Sequence, residues 1–182
     1  MSTYEIEIKL PIADRDSVHA KLIQLGFQEK ARIRECDMDY NSDYHDVKKL
    51  GEALRIRKST NLLTGITKAQ INFKGKKIDK VSMSRQEYET VVEDAESMEQ
   101  ILKSLDFLPV AGVSKTRIYL KKEEMTACLD QVDGLGDFLE LEVIAFEEAS
   151  RETHLKNMEK LLTSLGLSIK DTVRTSYLGM LM

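Results

Sequence analysis

The 182-residue chain has no tryptophan, two prolines, two cysteines and three histidines, and each scarcity excludes something. Cys36 and Cys128 are too few for a disulfide framework and show no CxxC spacing, so both read as reduced structural residues. His19, His45 and His154 are scattered through helix-like or loop-like stretches and read as surface residues, which leaves oxygen as the ligand type for any metal. No run approaches the roughly eighteen apolar residues of a membrane helix. The polar start Met1-Ser-Thr-Tyr-Glu-Ile-Glu lacks the basic and apolar regions of a signal peptide, so a cytoplasmic protein with no membrane partner is expected. A basic excess is missing too. With 27 Lys and Arg against 31 Asp and Glu, the formal net charge is −4, which argues against a general nucleic-acid binder and leaves room for a local basic pocket.

What is present suits one domain spanning residues 1–182. Three segments have helical spacing of apolar residues: about 14–26 with Val18, Leu22 and Leu25, about 94–105 with Met98, Ile101, Leu102 and Leu105, and about 150–165 with Leu155, Met158, Leu161, Leu162 and Leu165. They end alike, in "LIQLGF", "LKSLDF" and "LTSLGL". Between them lie eight strand-like runs, at 4–10, 30–38, 52–58, 68–74, 82–92, 113–121, 125–132 and 137–145, with neither proline placed to break them. The order strand, helix, strand recurs from Tyr4 to about Asp37 and from Arg85 to about Tyr119, a hint of internal duplication.

The strands carry an unusual alternation. Side chains of a strand point alternately to opposite faces. In "YEIEIKL" that rule sets Glu5, Glu7 and Lys9 against Ile6, Ile8 and Leu10. A half-buried strand with a wet charged face is the plain reading of one such stretch. The pattern recurs, however: Arg55 and Arg57 share a face, Asn72 is in phase with Lys74, Arg85 with Glu87 and Glu89, Lys115 with Arg117 and Tyr119, Cys128 with Asp130, and Glu140 with Glu142. Wet faces mix Thr, Ser, Gln and Lys, whereas these are nearly all ionic and stack like charges two residues apart, which costs free energy without a counter-ion or ligand. The expected fold is α+β: a closed eight-stranded antiparallel β-barrel with a charged interior just wide enough for one small ligand, and helices packed outside. Grouped carboxylates suit Mg2+ or Mn2+, and Arg and Lys suit phosphate oxygens, so a metal-loaded polyphosphate is the natural guest.

Six motifs then stand in order: ExExK (Glu5, Glu7, Lys9), "LRIR" at 54–57, "FKG" at 73–75, "KTR" at 115–117, "LDQVDGLGDFLELE" at 129–142 and "RTSYLGML" at 174–181. Together they resemble the CYTH family, also called triphosphate tunnel metalloenzymes, over nearly the whole chain. "VDGLGDFLELE" and "SYLGML" are most similar to class IV adenylyl cyclases.

The resemblance implies Glu5, Glu7, Asp130, Glu140 and Glu142 as ligands of Mg2+ or Mn2+. It implies Lys9, Arg55, Arg57, Lys74, Lys115 and Arg117 as phosphate binders, with Lys9 and Arg117 central to catalysis. Arg85 takes the place of a further tunnel cation, and Lys170 and Arg174 could reach the tunnel mouth. The basic stretch "KGKKIDK" at 74–80 resembles a mobile lid and reads equally as a solvated turn. Implied substrates are ATP, thiamine triphosphate or tripolyphosphate. The first would be cyclised to cyclic AMP and pyrophosphate; a triphosphatase would instead hydrolyse the terminal phosphate. The resemblance leaves room for a homodimer. A module that binds polyphosphate or nucleotide without turning it over is compatible with the same cations.

Overall fold

The computed structural model describes residues 4–77 and 85–182. Along the chain these form β1 (Tyr4–Pro11), α1 (Arg15–Gln24), β2 (Gln28–Asn41), α2 (Val47–Leu50), β3 (Ala53–Asn61), β4 (Thr67–Lys77), β5 (Arg85–Val92), α3 (Ala95–Ser104), β6 (Leu108–Lys122), β7 (Met125–Val132), β8 (Gly136–Ala145), α4 (Arg151–Leu165) and α5 (Tyr177–Leu181). The eight expected strands and three expected helices are all present. The short α2 and α5, four and five residues long, were not expected, because so few residues carry no period. No helix among the described residues is long and apolar enough to cross a membrane.

The strands join one sheet in the order β1-β8-β7-β6-β2-β3-β4-β5, and each pair whose register is described is antiparallel. Among the described residues this sheet is open, with β1 and β5 at its edges, where the expected closed barrel would have none. The suggested duplication is visible as element order, with β1-α1-β2 matched by β5-α3-β6.

The shared helix endings have a common cause. The N–H of Phe27 donates to the carbonyl of Leu22 at 3.0 Å, that of Phe107 to Leu102 at 2.9 Å, and that of Leu167 to Leu162 at 2.8 Å. Each is the long bond of a Schellman cap, which needs a left-handed residue just before its donor. Gly26, Asp106 and Gly166 supply it, with φ of 92, 62 and 77°.

The chain divides into two compact units, one running to Arg32 and resuming at Thr116, the other Ile33–Lys115. In the first, the apolar faces of the strands (Ile6 and Leu10 of β1, Leu129 of β7, Leu139, Leu141 and Val143 of β8) pack with Val18 and Leu22 of α1 and with Met158, Leu162 and Leu165 of α4. Ile8 is partly buried against the same cluster. In the second, Tyr40, Leu54 and Ile56 pack with Val47 of α2 and Leu102 of α3. The apolar halves of the β1, β3, β7 and β8 stretches are thereby accounted for, with the charged halves on the opposite faces; on β5, Tyr88 is exposed.

Candidate functional site

In the first unit, register fixes which charges are neighbours. Lys9 of β1 pairs with Glu140 of β8, which pairs with Cys128 of β7; in the next row of the same faces, Glu7 pairs with Glu142 and Glu142 with Thr126. Lys9, Arg117, Asp130 and Glu140 are all buried, Asp130 completely. Arg117, on β6, lays its guanidinium against Asp130, with Nε 2.6 Å from Oδ1 and Nη2 2.5 Å from Oδ2; Nη2 also donates to Glu140. The hydroxyl of Tyr177 donates to Oδ2 of Asp130 at 2.8 Å. The Lys9 ammonium stands 4.3 Å from the centre of the Tyr177 ring, a cation–π distance.

These contacts set the ionisation. Burial alone would depress the Arg117 guanidinium, but the Glu140 and Asp130 carboxylates outweigh it and raise its pKa well above the ordinary value. Burial, reinforced by the same two carboxylates, pushes the Tyr177 phenol up, and burial pushes the Cys128 thiol up, so at neutral pH both stay protonated. Cys128 is therefore an inert neighbour and no nucleophile.

The donor chemistry of this face fits a hard divalent cation. Glu5, Glu7 and Glu142 are half-buried carboxylates on the same strand faces as Glu140. Asp130 differs from them, since both its oxygens already serve Arg117 and Tyr177. Among the described residues no three His, Cys, Asp or Glu groups already stand together as a cation site.

The second unit has a charged face of its own. Cross-strand rows run Asp37-Arg57-Gln70, Asp39-Arg55-Asn72-Glu89 and Ala53-Lys74-Glu87. Arg57 makes a two-pronged contact with Asp37, at 2.6 and 2.7 Å, and Arg55 Nη1 donates to the same carboxylate at 3.2 Å. Glu35 lies 3.4 Å from Arg57 and 3.5 Å from Lys115. Lys74 donates to Glu87 at 2.6 Å. Nε of Arg55 and Oδ1 of Asn72 are buried with no hydrogen-bond partner among the described residues. Burial would raise the Asp37 carboxyl, but its bonds to Arg57 and the charges of Arg55, Arg57 and Lys115 hold it below the usual range. Asp39 goes the other way: burial, offset only in part by Arg55 and reinforced by Asp37, pushes it up to about 6.

Of the residues expected from the sequence, Lys9, Arg117, Asp130 and Glu140 form one cluster, with Glu5, Glu7 and Glu142 on the same faces. Arg55, Arg57 and Lys115 form another, and Lys74 pairs with Glu87. Arg85 opens β5 opposite Lys77, and its side chain lies outside the described residues. So do Ile78 to Lys80, and with them the expected lid. Lys170, in a 3-10 turn (Ile169–Asp171), and Arg174 are exposed; no described hydrogen bond or ion pair joins either to the Lys9–Arg117 cluster.

Sequence reasoning missed Glu35, Asp37, Asp39 and Tyr177. The first three alternate with Cys36, Met38 and Tyr40 along β2, so the parity rule that found the other charges would have found them. Tyr177 lies within the "RTSYLGML" motif, but its role is not legible there, because its polar and cationic partners, Asp130 and Lys9, are 47 or more residues away in the chain.

A CYTH domain family model matches residues 3–177. The chain is 37% identical over 174 residues to a Methanocaldococcus jannaschii protein provisionally named an adenylate cyclase, covering 96% of each. It is 26% identical over 175 residues to the adenylate cyclase CyaB of Aeromonas hydrophila, covering 96% of this chain and 86% of that one. The solved structure of a Pyrococcus horikoshii protein superposes on it with a TM-score of 0.85 at 32% identity, over 98% of both chains.

Proposed function

The chain belongs to the CYTH domain family, and from that premise we propose that it is a metal-dependent enzyme acting on a triphosphate, converting ATP to cyclic AMP and pyrophosphate. The observation that carries this reading is the burial of Lys9 and Arg117 beside Glu140, on strand faces that also carry Glu5, Glu7 and Glu142. Taking such charges out of water costs several kcal/mol per ion. A face that merely met solvent would not need them buried. The cyclase names of the M. jannaschii and A. hydrophila relatives support the choice of reaction. Closure of the sheet into a tunnel belongs to the same proposal.

In this reading Lys9 and Arg117 bind phosphate oxygens, Lys as a point charge and Arg through its planar fork. Asp130 and Glu140 take Nε and Nη2 of Arg117 and hold the plane of its guanidinium in place. Arg55, Arg57, Lys74 and Lys115 are further phosphate binders, and the unpartnered Nε of Arg55 supports its share. Arg85, Lys170 and Arg174 keep their expected auxiliary roles. Glu5, Glu7, Glu140 and Glu142, with Asp130 through any oxygen lone pair that Arg117 and Tyr177 leave, would hold Mg2+ or Mn2+. Once bound there, a divalent cation supplies polarisation of phosphoryl oxygens. In the reaction the ribose 3′-oxygen bonds to the α-phosphorus, the bond to the bridging oxygen breaks, and pyrophosphate leaves as the hydroxyl proton passes to water or a basic group. Fixed cations stabilise the charge that develops on the leaving oxygens.

The test is to incubate the protein with Mg2+ or Mn2+ and, separately, ATP, thiamine triphosphate and tripolyphosphate, and to resolve the products by anion exchange. Cyclic AMP and pyrophosphate from ATP are expected. Orthophosphate from tripolyphosphate or thiamine triphosphate, with no cyclic AMP under any metal or pH, would replace the cyclase with a triphosphatase. Tight binding with no product from any of the three would leave a binding module.

A further inference from the structure

One group in the Asp130 cluster has no part in that chemistry. Tyr177 is the first residue of α5, and its side chain is buried. Its hydroxyl donates to Oδ2 of Asp130, the oxygen that also accepts from Nη2 of Arg117. Its ring lies against the Lys9 ammonium and meets Phe138 edge-on, with centroids 5.0 Å apart and planes at 66°. Just before it, the N–H of Val173 donates to the carbonyl of Lys9 at 2.7 Å. The short helix is held for this purpose: Ser176 Oγ accepts the Gly179 N–H at 3.1 Å, and a Cβ at Gly179 would come within 2.9 Å of Thr175 Cγ2. A side chain there would disturb the turn that aims Tyr177. One phenol thus touches Lys9 directly and reaches Arg117 through a single carboxylate.

We propose that Tyr177 is a positioning residue: it sets the spacing of two phosphate-binding cations by holding Lys9 against its ring and Arg117 through Asp130. The proposal rests on the triphosphate reading for what the cations bind, while the linkage from Tyr177 to Arg117 stands apart from it. A residue that only tethered the C-terminal segment would hold the fold together without affecting the electronic surroundings of Arg117.

Two variants separate the contributions. Tyr177→Phe removes the hydroxyl and keeps the ring; Tyr177→Leu removes both. The first readout is the 15N–1H resonance of Arg117 Nε, identified by its loss in Arg117→Lys. The second is the affinity for tripolyphosphate by calorimetry, with the melting temperature of each variant as control. Tyr177→Phe is expected to shift the Nε resonance and weaken tripolyphosphate binding about tenfold, and Tyr177→Leu to weaken it further. The hydroxyl acts through Asp130, so Asp130→Asn combined with Tyr177→Phe should bind no more weakly than Asp130→Asn alone. An unchanged Nε resonance in Tyr177→Phe, or losses that add in the double variant, would overturn the proposal. Should the wild type not bind tripolyphosphate at all, the triphosphate reading fails, and the Nε resonance alone decides the positioning role: a shift in Tyr177→Phe upholds it and none overturns it.

Discussion

Arg57 lies across Asp37 with Nε 2.6 Å from Oδ1 and Nη2 2.7 Å from Oδ2, the same two-pronged contact that Arg117 makes with Asp130. The two compact units therefore each carry an Arg–Asp pair on a charged strand face. Breaking a buried pair from one side leaves an uncompensated charge at a cost of about 3–5 kcal/mol, whereas replacing both partners with apolar groups is often neutral. Urea unfolding should show a loss in that range for Asp37→Leu, which also strips Arg55 of this partner, and a smaller one for Arg57→Met, where the arginine is part-buried. The double variant should lose less than the two losses added together. Additive losses would mean that the two side chains do not depend on each other.

Arg117→Lys tests what the fork contributes to chemistry. Lysine keeps the charge but cannot engage Asp130 and Glu140 at the same time as a ligand. The expected outcome is a fall in kcat for ATP of about a hundredfold with a folded protein by circular dichroism. An undiminished kcat would remove Arg117 from the machinery.

Asp39 supplies a pH signature. With its folded pKa raised to about 6, the native state holds this proton more tightly than the unfolded chain does. Stability contributed by the protonated form is thus present at low pH and is lost as pH rises towards and through 6. The Asp39 carboxyl carbon should titrate near pH 6 by NMR, with Asp37 titrating below its usual range. Asp39→Asn should flatten the decline in unfolding free energy between pH 4 and 6. A midpoint for Asp39 at an ordinary carboxyl value would refute the burial argument.

The three matched helix ends give a prediction on stability. Asp106 adopts at φ 62° the conformation that Gly26 and Gly166 adopt at 92 and 77°. Asp tolerates it better than most residues, yet not as well as Gly. Asp106→Gly should raise the unfolding free energy by a few tenths of a kcal/mol to about 1. Gly166→Ala should lower it by about 1 kcal/mol for conformational reasons alone, since an added Cβ would come no closer than 4.0 Å to Lys21 Nζ. Denaturant midpoints with unchanged m-values would check both.

How much of this was legible in advance follows from how local each signal is. Alternation in "YEIEIKL" and "DFLELEV" predicts that Lys9 and Glu140 lie on the face opposite Leu10 and Leu141, and they do, because a two-residue period is a property of the strand itself. The shared helix endings were readable for the same reason: a Schellman cap is written in six consecutive residues. Glu35, Asp37 and Asp39 follow the same two-residue period along β2 and are equally readable. The contacts of Tyr177 were not, since a five-residue helix carries no period and its partners come from β1, β7 and β8. Nor could the sequence show that Asp130 spends its oxygens on Arg117 and Tyr177. Grouped carboxylates look alike in a sequence whether a guanidinium or a metal satisfies them.

If a triphosphate binds on the Lys9–Arg117 face, Lys9→Met removes one of the two cations that hold it. Methionine keeps most of the apolar stem, with a thioether sulfur in place of one methylene, and removes the ammonium. Calorimetric titration of wild type and variant with Mg2+-loaded tripolyphosphate, beside their melting temperatures, is the decisive measurement. Affinity should fall by about thirtyfold or more, with the variant still showing a cooperative melting transition. Equal affinity in the two proteins would contradict binding on that face.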